Sequence, residues 1–289
     1  MGRNCFRSVS AISLGALLSL WVPTAHAAAA NEGPWEIAAS GSVGIPSGWV
    51  KVGENQVAGT RLHFRGDLGI DTSGSAELRV GYHLDSLQTL RLSLQTIFLD
   101  GTTTLSRDVF FNGTTLERGT RLETQTDFPD FFRATITYER SLLPLGEHGM
   151  LYGSAGLTYV LLTFRVKGTL APTSRGHETK EDFLTQELPV PIIGTRANYP
   201  IAEHLDGVFA VSGGYLPRVD SLRSEGGDVK LNQAHVDLDL ALAYAFSANL
   251  SLEGGYRYTY FFQLEKSRED DNVILLSDNA LRLSLVYAF

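Results

Sequence analysis

The chain has 289 residues, with 24 lysines and arginines against 32 aspartates and glutamates, a formal net charge of −8. Charged residues make up only 19% of it, where soluble domains carry about a quarter; its aromatic content is too high for a disordered chain. The acidic balance excludes a basic stripe for neutralising phosphates, so no nucleic-acid partner is expected.

The first residues read as a secretory leader over 1–27. Arg3 and Arg7 form a positive start, Ala11 to Val22 is apolar, Pro23 breaks the run, and Ala25-His26-Ala27 is a small-x-small cleavage site. The apolar run is shorter than the ~20 residues a spanning helix needs. Cys5 is the sole cysteine and lies inside this leader. The exported domain, 28–289, would therefore carry no disulfide and no thiolate metal site. Arg3 and Arg7 are the leader's only charges, so cleavage takes the net charge from −8 to −10.

Beyond the leader, apolar residues recur with period two. Trp35, Ile37, Ala39 and Val43 oppose Glu36, Ser40 and Ser42. Ala76, Leu78, Val80, Tyr82 and Leu84 oppose Glu77, Arg79 and His83, and Leu90, Leu92, Leu94 and Phe98 oppose Arg91, Ser93 and Gln95. Phe132, Ala134, Ile136 and Tyr138 oppose Arg133, Thr135, Thr137 and Glu139. Residues 150–168 alternate less regularly, and residues 185–199 carry Pro189 and Pro191, which predict a bulge. The pattern resumes in Leu205, Phe209, Val211 and Tyr215, then in Val236 to Phe246, and then in Leu250 to Phe262. It ends in Leu281, Leu283, Leu285, Tyr287 and Phe289. Such alternation marks strands with one apolar face.

These segments predict ten strands, with eight or twelve as alternatives because 57–64 also alternates. Short connections near 85–86, 141–147, 201–204 and 247–248 alternate with long ones near 46–73, 101–120, 169–184, 218–228 and 265–273. In hydrocarbon every backbone polar group must be paired internally, so a strand-built span must close on itself. The fold expectation is an all-β, single transmembrane antiparallel up-and-down barrel, with tight turns on the periplasmic side and long external loops. A soluble sandwich would also alternate, but has no need of a terminal aromatic or of unequal loops.

The ending "LRLSLVYAF" resembles the C-terminal signal of bacterial outer-membrane barrels. That resemblance implies that Leu285, Tyr287 and Phe289 are read by the barrel insertion machinery. The mature chain as a whole resembles small barrels of the OmpA-transmembrane and OmpW-like class, with no narrower subfamily assigned. It implies a porin-like monomer in the outer membrane of a Gram-negative bacterium, in contact with outer-membrane lipid and lipopolysaccharide.

With the apolar faces outward, the opposite residues line a lumen. Its acids are Glu36, Glu77, Glu139, Asp206, Asp237, Asp239 and Glu253; its bases are Arg79, Arg91, Arg133, Arg196, Arg257 and Arg282. Glu77, Arg79, Arg91, Arg133, Asp237, Asp239, Glu253, Arg257 and Arg282 are the candidate charge network, with Arg257 opposite Asp239 and Arg282 at the same level. Enclosed charges must be paired to be tolerated. Such a network either plugs the barrel or gates a narrow channel for a small polar solute.

Two other functions remain open. Loops could bind a partner through Trp49, Phe110 and Phe111. A rim hydrolase could use His235 with Asp237 and Asp239, which alternate toward one face of one strand and resemble only the Asp-His dyad of the omptin proteases, since no second acid pair is placed on an opposite strand. A lipid A-modifying Ser-His pair would need His83 and Ser93, which sit at the wrong end. No catalytic residue, cofactor or metal is assigned, and the leading expectation is a non-enzymatic barrel.

Overall fold

A computed structural model describes residues 34–54, 57–169, 177–182, 188–220, 229–268 and 270–289. The leader expected at 1–27 lies outside the described residues. Ten long strands follow one another: β1 (Trp35–Lys51), β2 (Ser73–His83), β3 (Gln88–Leu99), β4 (Phe131–Leu145), β5 (Gly149–Thr169), β6 (Val190–Ala202), β7 (Leu205–Asp220), β8 (Lys230–Ala245), β9 (Leu250–Lys266) and β10 (Asp271–Ala288). Each pairs antiparallel with its neighbours in sequence.

The first and last strands close the ring, from Glu36↔Ala288 to Lys51↔Val273. The seam is sealed at its very end, where the Trp35 amide donates to the Phe289 carbonyl at 3.0 Å and the Phe289 amide returns the bond at 2.9 Å. The barrel thus has no open edge, the one condition under which a sheet can sit in hydrocarbon.

One end carries the start of β1, the end of β10 and four tight turns. Asp85 caps the β2–β3 turn through the Leu87 amide at 2.7 Å. Gly146 (φ 66°) and His204 (φ 64°) supply the left-handed residues of the β4–β5 and β6–β7 turns. Asn249, in the β8–β9 turn, donates its side-chain amide to the Ala288 carbonyl at 2.6 Å, fixing the end of the last strand.

The outer face is apolar, with Val43 68%, Leu281 73% and Ile193 74% exposed. Aromatic pairs ring the turn end: Trp35–Tyr82 at 4.7 Å, Tyr244–Phe246 at 5.1 Å and Tyr287–Phe289 at 5.8 Å between centroids. Aromatic bodies with polar tips occupy such belts where hydrocarbon meets water.

The opposite end departs from the sequence expectation. The β9–β10 connection is only 267–270, because both strands run into the loop expected at 265–273, one ending at Lys266 and the other starting at Asp271. No register shift falls at Pro191, which pairs with Leu157. It stands second in β6, one residue before the β6–β7 ladder begins, so its missing donor costs only a terminal rung. The shifts lie instead at Leu151/Tyr152, Pro200/Ala202 and Leu216/Val219.

The alternating stretch at 57–64 adds no barrel strand. Leu62 and His63 pair with Val50 and Trp49, and the chain turns back over the lumen. Between β3 and β4, short strands Gly101–Thr104 and Arg121–Gln125 pair with each other, and the second also extends β5.

Replacing Leu283, which is 57% exposed on the outer face, by arginine is expected to destabilise the barrel by about 2–4 kcal/mol in bilayers. Unfolding in urea, followed by heat-modifiable gel migration, measures this.

Candidate functional site: a lumen filled in two layers

Strand alternation sends one residue in two inward, and the enclosed face is charged toward the turn end and apolar toward the loop end. In the charged layer, six arginines meet six carboxylates. Arg133 of β4 holds Asp237 of β8 with two bonds, at 2.8 and 3.2 Å. Arg257 of β9 reaches Glu77 of β2 at 2.8 Å and Asp239 of β8 at 2.9 Å. Arg282 of β10 joins Asp239 at 3.2 Å and Glu253 at 3.1 Å, and Glu253 also takes Arg79 at 3.3 Å. Arg91 bridges Glu36 at 3.0 Å and Glu139 at 3.3 Å. Arg196 grips Glu139 at 2.6 and 3.1 Å while its guanidinium lies 4.4 Å from the Tyr152 ring.

Every residue named from the sequence as a network member thus carries an ion pair. Glu36, Glu139 and Arg196, named only as lumen-facing, belong to the same web. The formal charge of the twelve groups is zero, and two of the pairs, Arg133–Asp237 and Arg196–Glu139, are bidentate forks of the strongest kind. Side chains of β1, β2, β3, β4, β6, β8, β9 and β10 take part, so the pairs tie walls together across the lumen.

Sequence reasoning missed Asp278, which accepts from Ser73 Oγ at 2.7 Å on the inner face. It was hidden because Ser277 and Asn279 interrupt the apolar outer face of β10. Their side chains bond Tyr258 and Tyr256 at 2.7 and 2.6 Å instead.

The apolar layer had no counterpart in the sequence reading. Phe131 of β4 touches Phe261 of β9 with ring centroids 5.3 Å apart, and these two strands stand diametrically opposite in a ten-strand ring. Above them Phe64 of the turned-back segment packs on Phe164 of β5 at 6.3 Å. Leu62, Leu68, Ile70, Leu99, Phe111, Leu122, Leu162 and Ile274 are all fully buried in the same cluster. The segment is stitched down by the Thr60 amide to the Phe110 carbonyl at 2.8 Å and the Phe64 amide to the Gly48 carbonyl at 3.1 Å. Gly48 (φ 127°) admits no side chain, since a Cβ there would lie 1.9 Å from the Leu275 carbonyl oxygen.

The other candidates fare differently. Phe111 is buried rather than offered to a partner, and the Arg61 guanidinium covers Trp49 at 4.2 Å. His83 bonds Thr89 at 3.0 Å and Ser93 bonds Glu77 at 2.7 Å, so these two do not pair with each other. His235 is not an exposed rim residue: it is 3% exposed, beneath the apolar layer and 5.1 Å from the Phe261 ring. Neither of its ring nitrogens meets Asp237, which is engaged by Arg133 and by Thr259 at 3.0 Å. The dyad a water-activating base needs is therefore not assembled.

Among the described residues, strands β5 and β7 contribute no member to the web. They face it with small residues, including Ser154, Thr158, Ala210 and Ser212, and leave a cavity of about 190 Å³ between that wall and the arginines.

No family model matches the chain, and no curated protein matches it. Among solved structures it is similar to the outer membrane protease OmpT from Escherichia coli, with 12% identity over 90% of this chain and 100% of that one and a TM-score of 0.49. It is also similar to the transport unit of the autotransporter AIDA-I from Escherichia coli, with 9% identity over 92% and 93% and a TM-score of 0.43. The outer membrane protein OprG from Pseudomonas aeruginosa matches at 10% identity over 89% and 97%, with a TM-score of 0.34. Likeness at this level says nothing of activity, and the barrel stands on its own strand pairing.

Removing one partner from the web leaves buried charge uncompensated. Arg257→Met is expected to cost about 3–5 kcal/mol of unfolding free energy. Arg65→Ala, which breaks the exposed Arg65–Asp71 pair at 3.4 Å, is expected to change it by under about 0.5 kcal/mol. Chemical denaturation of both variants compares the two.

Proposed function

We propose that the protein is an outer-membrane barrel, monomeric and non-enzymatic, that serves as a closed structural or surface element rather than an open pore. The apolar outer face, the aromatic belt and the sealed seam support the membrane placement. The Phe131–Phe261 contact across the lumen carries the closed reading, because it stands directly above the Arg133–Asp237 bridge. An ion crossing here would have to break an apolar seal and then separate paired charges. Each step is costly in a low-dielectric interior.

In planar bilayers the purified protein is expected to give no stepwise conductance. Steady ohmic steps from the wild type would overturn the closed reading in favour of a narrow solute channel.

The reading also holds that Leu285, Tyr287 and Phe289 form the segment by which the insertion machinery selects the chain. Only backbone atoms of Phe289 seal the seam, and its ring, stacked on Tyr287 but half exposed, remains accessible for that role. Phe289→Ala is expected to lower the assembled protein in cells several-fold while refolding in detergent proceeds as in wild type. Equal loss in both settings would mean that the ring serves barrel stability alone.

A further inference from the structure

The charged layer and the apolar layer meet at His235, and the cavity of about 190 Å³ opens beside it. That space far exceeds the ~10–15 Å³ that one water needs. The hydrogen-bonding state of its walls is one-sided. Glu77, Glu139, Asp237 and Asp239 all line it, and each is already held by at least one arginine. The unmet polar atoms on the cavity wall are Arg79 Nε and both nitrogens of His235, all buried without a partner. A neutral imidazole leaves one nitrogen donating and one accepting. The arginine nitrogen can only donate.

Four arginines line the cavity against the four carboxylates, so it is neutral when His235 is neutral. A bare anion placed there would be an uncompensated buried charge, which such a site rejects. An anion that arrives with a proton adds no net charge. His235 can take that proton and donate from both nitrogens.

The charged groups around it are Arg133 from β4, which opposes an imidazolium, and Asp237 on its own strand, which favours one. Asp239 and, from β2, Glu77 lie one layer further toward the turn end, joined by Arg257, and Arg79, held by Glu253, lies beyond them. The neighbouring inward positions of β9 are Thr259, Phe261 and Gln263, none of which titrates. An incoming anion beside Arg133 offsets the charge of the arginine that acts most directly on His235.

We propose that this cavity is a binding site for a small carboxylate taken up together with one proton, with His235 as the proton acceptor. The site goes beyond the closed-barrel reading and does not depend on it, because binding requires no passage through the wall. Since the bound form carries one proton more than the free form, affinity rises as pH falls.

The test uses acetate as the probe on the purified, folded full-length barrel in detergent. Calorimetric titration in two buffers of different ionisation heat reads both affinity and proton uptake. Saturable binding with one proton taken up per acetate, at least ~10-fold tighter at about pH 5.5 than at about pH 8, is the expected result. His235→Gln keeps a donor and an acceptor in nearly the same volume but cannot accept the proton. It is expected to abolish the uptake and flatten the pH dependence, with heat-modifiable migration confirming that the variant is folded. Absence of saturable binding by the wild type overturns the proposal. So does pH dependence that survives intact in folded His235→Gln.

Discussion

A backbone amide left unpaired in hydrocarbon costs several kcal/mol, and nothing in a bilayer interior can pair it except the chain itself. That single cost sets the shape of this molecule. It requires the ring to close, which here means Trp35 meeting Phe289 in two backbone bonds. It also forces each strand to divide its residues between two environments, since alternate side chains face opposite sides of the wall. The outer half becomes apolar because lipid tolerates nothing else. The inner half is released from that demand, and it is there that the chain spends its arginines and carboxylates.

Enclosing charges brings a second constraint. Six arginines and six carboxylates in a narrow lumen persist only when each finds a partner, and the cross-lumen forks do this while tying together walls that share no backbone bonds. An eight-strand barrel is just filled by its own side chains, and ten strands leave more room. This chain fills the surplus at the loop end with apolar side chains borrowed from its own connections, Leu62, Phe64, Phe111 and Leu122 among them. Where neither device reaches, beside the small residues of β5 and β7, a cavity remains. His235 stands at its edge because it lies on the boundary between the two layers.

Strands whose outer residues all meet hydrocarbon were legible from the sequence. The last turns of β8 and β10 are examples, since lipid demands an unbroken apolar face there. Register across the β8–β9 hairpin was legible too, because the short turn at 247–248 alone sets Arg257 opposite Asp239. The upper reaches of the strands were not. Past the apolar belt Ser277 and Asn279 face outward and bond tyrosine hydroxyls, so period two no longer separates polar from apolar and β10 reads as loop. The apolar plug was hidden for a different reason. Val109 and Phe111 sit in a three-residue apolar run too short to signal an element, Leu116 and Leu122 stand singly among polar neighbours, and their burial comes from a cluster with Val160, Leu162, Phe164 and Val166 of β5, some forty to fifty positions away. Alternation gave the face of His235 but not its depth, because depth depends on what other segments lay across it.

Direction of the two faces can be read residue by residue. Cys5 is the only cysteine, so single cysteines placed along residues 38–45 of β1 report without background once the first 27 residues are absent. Nitroxide labels at Ala39, Gly41, Val43 and Ile45 should collide freely with oxygen dissolved in the bilayer, and labels at Ala38, Ser40, Ser42 and Gly44 should be shielded from it. A strict period of two with that phase is the predicted result. Uniform exposure to aqueous quenchers, or the opposite phase, would contradict a barrel that turns its apolar face to lipid and encloses its charges.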